Sequence, residues 1–328
     1  MTSPEHATPH DALFKAVFSD TENAFALLRP ALPRDLVRAL DLGSLRLEPA
    51  SFVDEELREV HRDLLFSAKL EEREVLLYVL VEHQSTPDAL MPLRMLRYVV
   101  RVWEAWLRKH PGARRVPPVI PVVVHQGPGR WTGPIRLSEL IDIPHHLADA
   151  LGRRLPELEL AFHDLGSASV EALASLDGPA AARLTLVLMK SAADDADLVG
   201  ALERWAELVR ELVASPRGQE SLAMLLRYTL FVRPIDPATM VGRIKRAIGS
   251  EAGHMAKMAA DILMERGIRH VLERQLRVRF GEVDAGTLTR LETAGRADLE
   301  RWADRVISAK KLADVFAAPR KPRPRRRG

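Results

Sequence analysis

The spacing of apolar positions changes period several times before residue 165 and then settles. From Asp11 to Leu28 the apolar residues Leu13, Phe14, Val17 and Phe18 recur at helical spacing, which predicts one helix stopped by Pro30 and Pro33. Residues Val37 to Leu47 fit neither period. Two runs with strand character follow, Asp63–Leu70 and Val75–Glu82. Pro92 to Lys109 predicts a helix, with Leu93, Leu96, Val100, Trp103 and Leu107 as its buried stripe. The β-branched run VIPVVVH at 119–125 predicts a buried strand closed by Gln126-Gly127-Pro128. Beyond 165 the β-branched runs vanish. Helices are expected at 168–176, 178–193, 196–214, 216–230, 237–248, 252–279, 284–293 and 296–308. Strands mixed with helices, then helices alone, imply an α/β (α+β) core and a helical C-terminal region.

The stretch RDLLFSAKLEEREVLLYVLVEHQ at 62–84 carries the chemistry. A hairpin with Glu72 and Arg73 at its tip pairs residues whose numbers sum to 145, so Leu64 faces Val81. Side chains alternate along a strand, so one face collects Leu64, Phe66, Ala68 and Leu70 with Val75, Leu77, Val79 and Val81. That face is wholly apolar and belongs in a core. The same register sets Asp63 opposite Glu82, with Gln84 two residues on. Facing residues have Cβ atoms about 4.5–5.5 Å apart, where like charges repel. Two carboxylates so placed need a shared proton or a cation, and a hard divalent ion with oxygen ligands meets that need. Acidic residues at strand ends are also commonly just solvated, and the spacing leaves both readings open.

Charge narrows the picture. The chain has 328 residues, 48 Lys plus Arg against 45 Asp plus Glu, and a formal charge of +3. Six of the basic residues, Arg320, Lys321, Arg323, Arg325, Arg326 and Arg327, sit in the last ten positions. Without them the body is mildly acidic. The Pro-interleaved tail has no apolar residue to pack and is expected to be disordered. Zero cysteines exclude a disulfide scaffold, Cys-ligated zinc, iron–sulfur centres and a thiol nucleophile. The first residues lack the apolar stretch of a signal peptide. The longest clean apolar run, Val75 to Val81, is far too short to span a bilayer, so a soluble cytoplasmic protein is expected.

Six motifs arrive in a telling order: HDALFKAVFSD at 10–20, SFVDEELRE at 51–59, RDLLF at 62–66, EHQS at 82–85, MPLRMLRYVVRVWE at 91–104, and VIPVVVHQG at 119–127 with Trp131 after it. Together they resemble the Rpn family of recombination-promoting nucleases, also described as putative transposases. The resemblance covers residues 8 to about 165 and extends toward the helices that follow. It implies the PD-(D/E)xK nuclease fold, a mixed sheet flanked by helices, and Mg²⁺-dependent (or Mn²⁺-dependent) endonucleolytic cleavage of DNA in recombination. A catalytically weak DNA-binding or transposition accessory protein of the same fold is the alternative.

Carried onto this chain, the resemblance makes Asp63 and Glu82 the metal ligands and sets Gln84 where the superfamily usually has Lys. A lysine would bring positive charge to the transition state; Gln84 can only orient the attacking water through its amide. Arg94 and Tyr98, four apart on the next helix, resemble the Gln-xxx-Tyr pair of related nucleases with Arg in place of Gln. Arg97 and Arg101 are further sources of positive charge, although all of these arginines also suit a solvated helix stripe. Asp11 stands where related nucleases place another acidic ligand, and reads equally as an ordinary helix start. His83 and His125 read as packed residues. His145-His146 has no acidic partner at useful spacing, and Gly127-Pro128-Gly129 lacks the residues of a phosphate loop. Arg101 and the six tail residues are the expected DNA contacts, sequence-blind and salt-sensitive.

The expected organisation is a nuclease core at 1–165, a helical region at 166–250 on or beyond it, a helical domain at 251–318 and the tail at 319–328. The core of the third part should hold Leu276, Phe280, Leu288, Leu291, Leu299, Trp302, Val306 and Leu312. These C-terminal helices suit scaffolding and homo-oligomerisation equally.

Overall fold

The computed structural model describes residues 8–49, 64–71, 73–82 and 88–317. Two compact units divide the chain, residues 1–256 and 257–328.

The first unit opens with three helices. α1 spans Pro9–Phe18, α2 Thr21–Leu28 and α3 Arg34–Ala39. The single helix expected over 11–28 is therefore two. Asp20 breaks it by capping α2, its carboxylate accepting from the backbone N–H groups of Glu22 and Asn23. The Ser-Asp-Thr-Glu run at 19–22 carries that cap signal, which the continuous apolar spacing hides. Leu13, Phe14, Val17 and Phe18 are all buried, as the helical spacing predicts.

Five strands form one sheet in chain order: β1 Leu40–Leu47, β2 Leu64–Leu70, β3 Arg73–Glu82, β4 Val119–His125 and β5 Ala161–Asp164. β1, β2 and β3 are antiparallel neighbours; β3, β4 and β5 run parallel. The four-residue β5 escaped the sequence reading because it is too short to show a period. β2 and β3 pair Leu64 with Val79 and Leu70 with Arg73, so partners sum to 143 and not 145. Glu71, just after β2, lies in the left-handed region at φ 54°. The tip moves by one residue because Arg73 joins the ladder rather than the turn. Both sums are odd, so the faces survive the correction: Leu64, Phe66, Ala68, Val75, Leu77 and Val79 are all buried on one side.

The opposite side is buried too. Leu65, Leu76, Tyr78 and Val123 pack against α4, Met91–Lys109, through Met91, Met95, Val99 and Val102. Of the stripe expected to face the core, Leu93 through Leu107, Trp103 packs half-buried against this cluster, whereas most of the stripe turns away from it. Leu93, Val100 and Leu107 remain 44%, 41% and 39% exposed. α4 carries two apolar stripes, and the methionine-rich one takes the sheet.

After a single turn at Ala148–Leu151 (α5) and then β5, the unit continues as helices. These are α6 Val170–Ala174, α7 Ala180–Ala193, α8 Leu198–Arg204, α9 Ala206–Ala214, α10 Gly218–Val232 and α11 Pro237–Ala247. The helix expected over 196–214 breaks at Trp205. α7 is the central one, buried from Leu184 to Ser191 without interruption, and it packs on α1, α2 and α10.

α12, Ser250–Phe280, runs through the boundary between the units. The second unit adds α13 Ala285–Thr293, α14 Arg296–Ser308 and α15 Leu312–Val315. Its core holds Leu276, Leu291, Leu299, Trp302 and Val306, with Phe280, Leu288 and Leu312 half-buried around it. Arg290 lies over both Trp302 and Phe316, with its guanidinium carbon 5.4 and 4.9 Å from the ring centres.

Candidate active site

Parallel strands deliver their carboxyl ends to one edge of a sheet, where side chains from several strands can meet. Here the last residues of β3, β4 and β5 pair in a row, Glu82 with His125 and His125 with Asp164. β2 is antiparallel to β3, so its first residue, Leu64, lies at this same end. Asp63 directly precedes Leu64 in sequence. Asp63, His83 and Gln84 lie outside the described residues, as do the six basic residues of the tail, and only the backbone of Glu82 is described.

The surroundings of this edge are well defined. His125 is 2% exposed and meets the Trp131 ring edge-on, 5.1 Å between centres; Trp131 lies 5.1 Å from Phe162 in turn. The Trp131 backbone N–H donates to Asp164 Oδ2 at 3.0 Å, while Asp164 Oδ1 is buried with no hydrogen-bond partner among the described residues. Behind the edge, the Gln126 amide nitrogen donates both to the Met189 carbonyl at 3.0 Å and to His10 Nδ1 at 3.1 Å. Tyr228 from α10 also reaches His10 Nδ1, at 2.8 Å. An amide nitrogen can only donate, so Nδ1 is the acceptor in the Gln126 contact. Burial pushes the Tyr228 hydroxyl well above the ordinary tyrosine range. This knot ties α1, α7 and α10 to the residue after β4.

On the far side of β5, burial pushes His163 down to about 4; its Nδ1–H donates to the Leu27 carbonyl at 3.2 Å. Gln126 belongs to the VIPVVVHQG motif, whereas His163 and Asp164 carry no motif of their own. Only their place beside the end of the VVVH strand could have pointed to them.

α4 follows β3 and starts from the same end. Arg94 Nε donates to the Tyr98 hydroxyl at 3.2 Å and also pairs with Asp88 at 3.7 Å. Tyr98 in turn packs on Tyr78 of β3, 5.2 Å between ring centres. Helical spacing thus brings Arg94 and Tyr98 together against the sheet. Arg97 points elsewhere and is exposed; Arg101 is half-buried. Asp11 forms a capping box: the Thr8 N–H and hydroxyl donate to its Oδ2 at 3.0 and 2.7 Å, and its own N–H donates to the Thr8 hydroxyl.

Among the described residues no three histidine or acidic side chains converge as a metal site. The acceptors that Asp63, Glu82 and Gln84 would offer are all oxygens, the donor set that suits a hard divalent cation. The register corrects one expectation: Leu64 faces Val79 and not Val81, so the ladder does not set Glu82 directly opposite the residue before Leu64. Glu82 lies three residues beyond the partner of Leu64, toward the same end of the sheet. No described helix is long and apolar enough to cross a membrane.

Residues 8–220 match the profile of the family described as "Putative transposase, YhgA-like". The chain is 42% identical over 127 residues to recombination-promoting nuclease RpnD of Escherichia coli O157:H7, covering 39% of this chain and 48% of the relative. It is 36% identical over 127 residues to recombination-promoting nuclease RpnA of Escherichia coli K12, covering 39% and 43%. It is also 46% identical over 102 residues to the putative inactive recombination-promoting nuclease-like protein YjiP of the same strain, covering 31% and 99%. The matches to the two nucleases thus span less than half of their lengths. No solved structure matches the chain.

Proposed function

Because this chain belongs to the family of YhgA-like putative transposases that includes the Rpn recombination-promoting nucleases, we propose that it hydrolyses phosphodiester bonds in DNA as a divalent-metal-dependent endonuclease of the PD-(D/E)xK type, acting in recombination. One observation carries the reading: the start of β2 and the ends of β3, β4 and β5 lie at one end of the sheet, with Arg94 and Tyr98 on the helix that starts there. Asp63 and Glu82 would hold Mg²⁺ there, and the bound cation would supply Lewis acidity to the scissile phosphate. Gln84 orients the attacking water through its amide. Arg94, steadied by Tyr98 and Asp88, offers the positive charge that a lysine supplies in the wider superfamily. Arg101 and the basic tail grip the phosphate backbone without reading sequence.

A second reading keeps the fold and the DNA contact and drops the chemistry. It is favoured by the 46% identity to a relative whose own name includes the word inactive. Plasmid nicking separates the two. The wild type is expected to nick supercoiled plasmid with Mg²⁺ or Mn²⁺, and Asp63→Ala to lose at least about a hundredfold in rate, as befits a lost metal ligand. Nicking that survives Asp63→Ala removes the assigned site. Absence of cleavage by the wild type with every divalent metal favours the accessory role.

A further inference from the structure

The stripe of α4 that does not meet the sheet is apolar and has a regular spacing. Leu93, Leu96, Val100, Trp103 and Leu107 follow one another at intervals of three, four, three and four residues, the a/d seam of a heptad repeat. Leu93, Val100 and Leu107 are each about two-fifths exposed, and Leu96 and Trp103 are half-buried. Trp103 also packs half-buried against the core cluster under α4, and its indole N–H donates to the Pro117 carbonyl at 2.8 Å, so only part of its ring belongs to the outer stripe. A solvated helix face has no need of such a seam, and the inner stripe already satisfies the sheet.

The charges beside the seam say what covers it. Arg97 and Glu104 occupy the same flanking heptad position one repeat apart. Both are exposed, and neither has an ion-pair partner among the described residues. We propose that a second copy of this chain docks on α4, the two helices running antiparallel about a two-fold axis. Leu96 then meets Leu107 of the other copy, and Val100 meets its Trp103. In that register Arg97 of each copy lies beside Glu104 of the other, which gives two symmetry-related ion pairs. A parallel pairing would set Arg97 against Pro92 and Glu104 against Val99, and would leave all four charges unmatched. The seam is self-complementary in one orientation only. This places self-association on the sheet-bearing unit, whereas the sequence left the C-terminal helices equally open to scaffolding and to homo-oligomerisation.

Sedimentation velocity on the full chain tests the idea. The wild type should be a dimer that dissociates on dilution, and Val100→Glu should be a folded monomer by circular dichroism and sedimentation. Arg97→Glu should weaken the dimer roughly tenfold through two lost pairs and new repulsion, and Arg97→Glu with Glu104→Arg should restore it. The orientation has its own readout, because the chain has no cysteine. With Leu96→Cys and Leu107→Cys together, a short bis-maleimide should link two copies, while Leu96→Cys alone should not. A monomeric wild type overturns the proposal, as does a dimer that survives Val100→Glu. Efficient linking by Leu96→Cys alone overturns the antiparallel arrangement.

Discussion

His163 shows how one residue can tie stability to pH next to a candidate active site. It sits on β5 beside Asp164, buried, with Nδ1–H on the Leu27 carbonyl of α2. Burial lowers its folded-state value to about 4 from an ordinary 6.5, with that hydrogen bond and Asp164 opposing the shift only in part. Protonation therefore favours the unfolded chain. The stabilisation is complete above about pH 6.5 and is lost as pH falls toward 4, amounting to a loss of about 2 kcal/mol by pH 5. His163→Asn can keep an amide donor for Leu27 while removing the titration. Its unfolding free energy should fall by about 2 kcal/mol less between pH 7 and pH 5 than that of the wild type. Equal slopes would show that His163 does not carry the dependence.

At the scale of elements, the hairpin was legible in its faces and not in its register. The apolar alternation of Leu64, Phe66 and Ala68 against Val75, Leu77 and Val79 specifies which side is core, and any odd register sum satisfies it. The choice between 143 and 145 rests on the turn, and Glu71-Glu72-Arg73 contains no glycine or asparagine to mark it. α4 was misread for a related reason. Both of its stripes are apolar, and only the tertiary contact decides that Met91, Met95 and Val99 go inward. The loop after β4 was legible as punctuation, and its packing was not. Gly129 has φ 79°, and a Cβ on Gly166 would lie 1.8 Å from the Gly129 carbonyl oxygen and 2.9 Å from that of Gly127. Lys190 of α7 fastens the same spot, with Nζ 2.8 Å from the Gly166 carbonyl. Backbone cannot yield there, so Gly166→Ala should cost about 3 kcal/mol in chemical denaturation. A change under about 0.5 kcal/mol would mean that the loop is not clamped.

At the scale of the whole chain, composition and motif order reached further than periodicity did. The helical character after residue 165 is plain because Ala, Leu, Arg and Glu dominate and β-branched runs stop. The extent of the first unit was less plain. The helices up to residue 256 form one compact unit with the sheet through the buried α7, and the Gln126–His10–Tyr228 knot joins residues more than two hundred apart. No local pattern reports such a contact. Asp63, Glu82 and Gln84 stand out in sequence because they frame an apolar hairpin. His125 and Asp164 join their end of the sheet only through parallel pairing across long connections. The central claim is that this end holds a divalent cation between Asp63 and Glu82. A crystal structure of the full chain soaked in Mn²⁺, read by anomalous scattering, tests it most directly. The account predicts a Mn²⁺ peak bound by both carboxylates with Gln84 beside it. A peak elsewhere, or none in a crystal whose Asp63 and Glu82 are ordered and open to solvent, would contradict it.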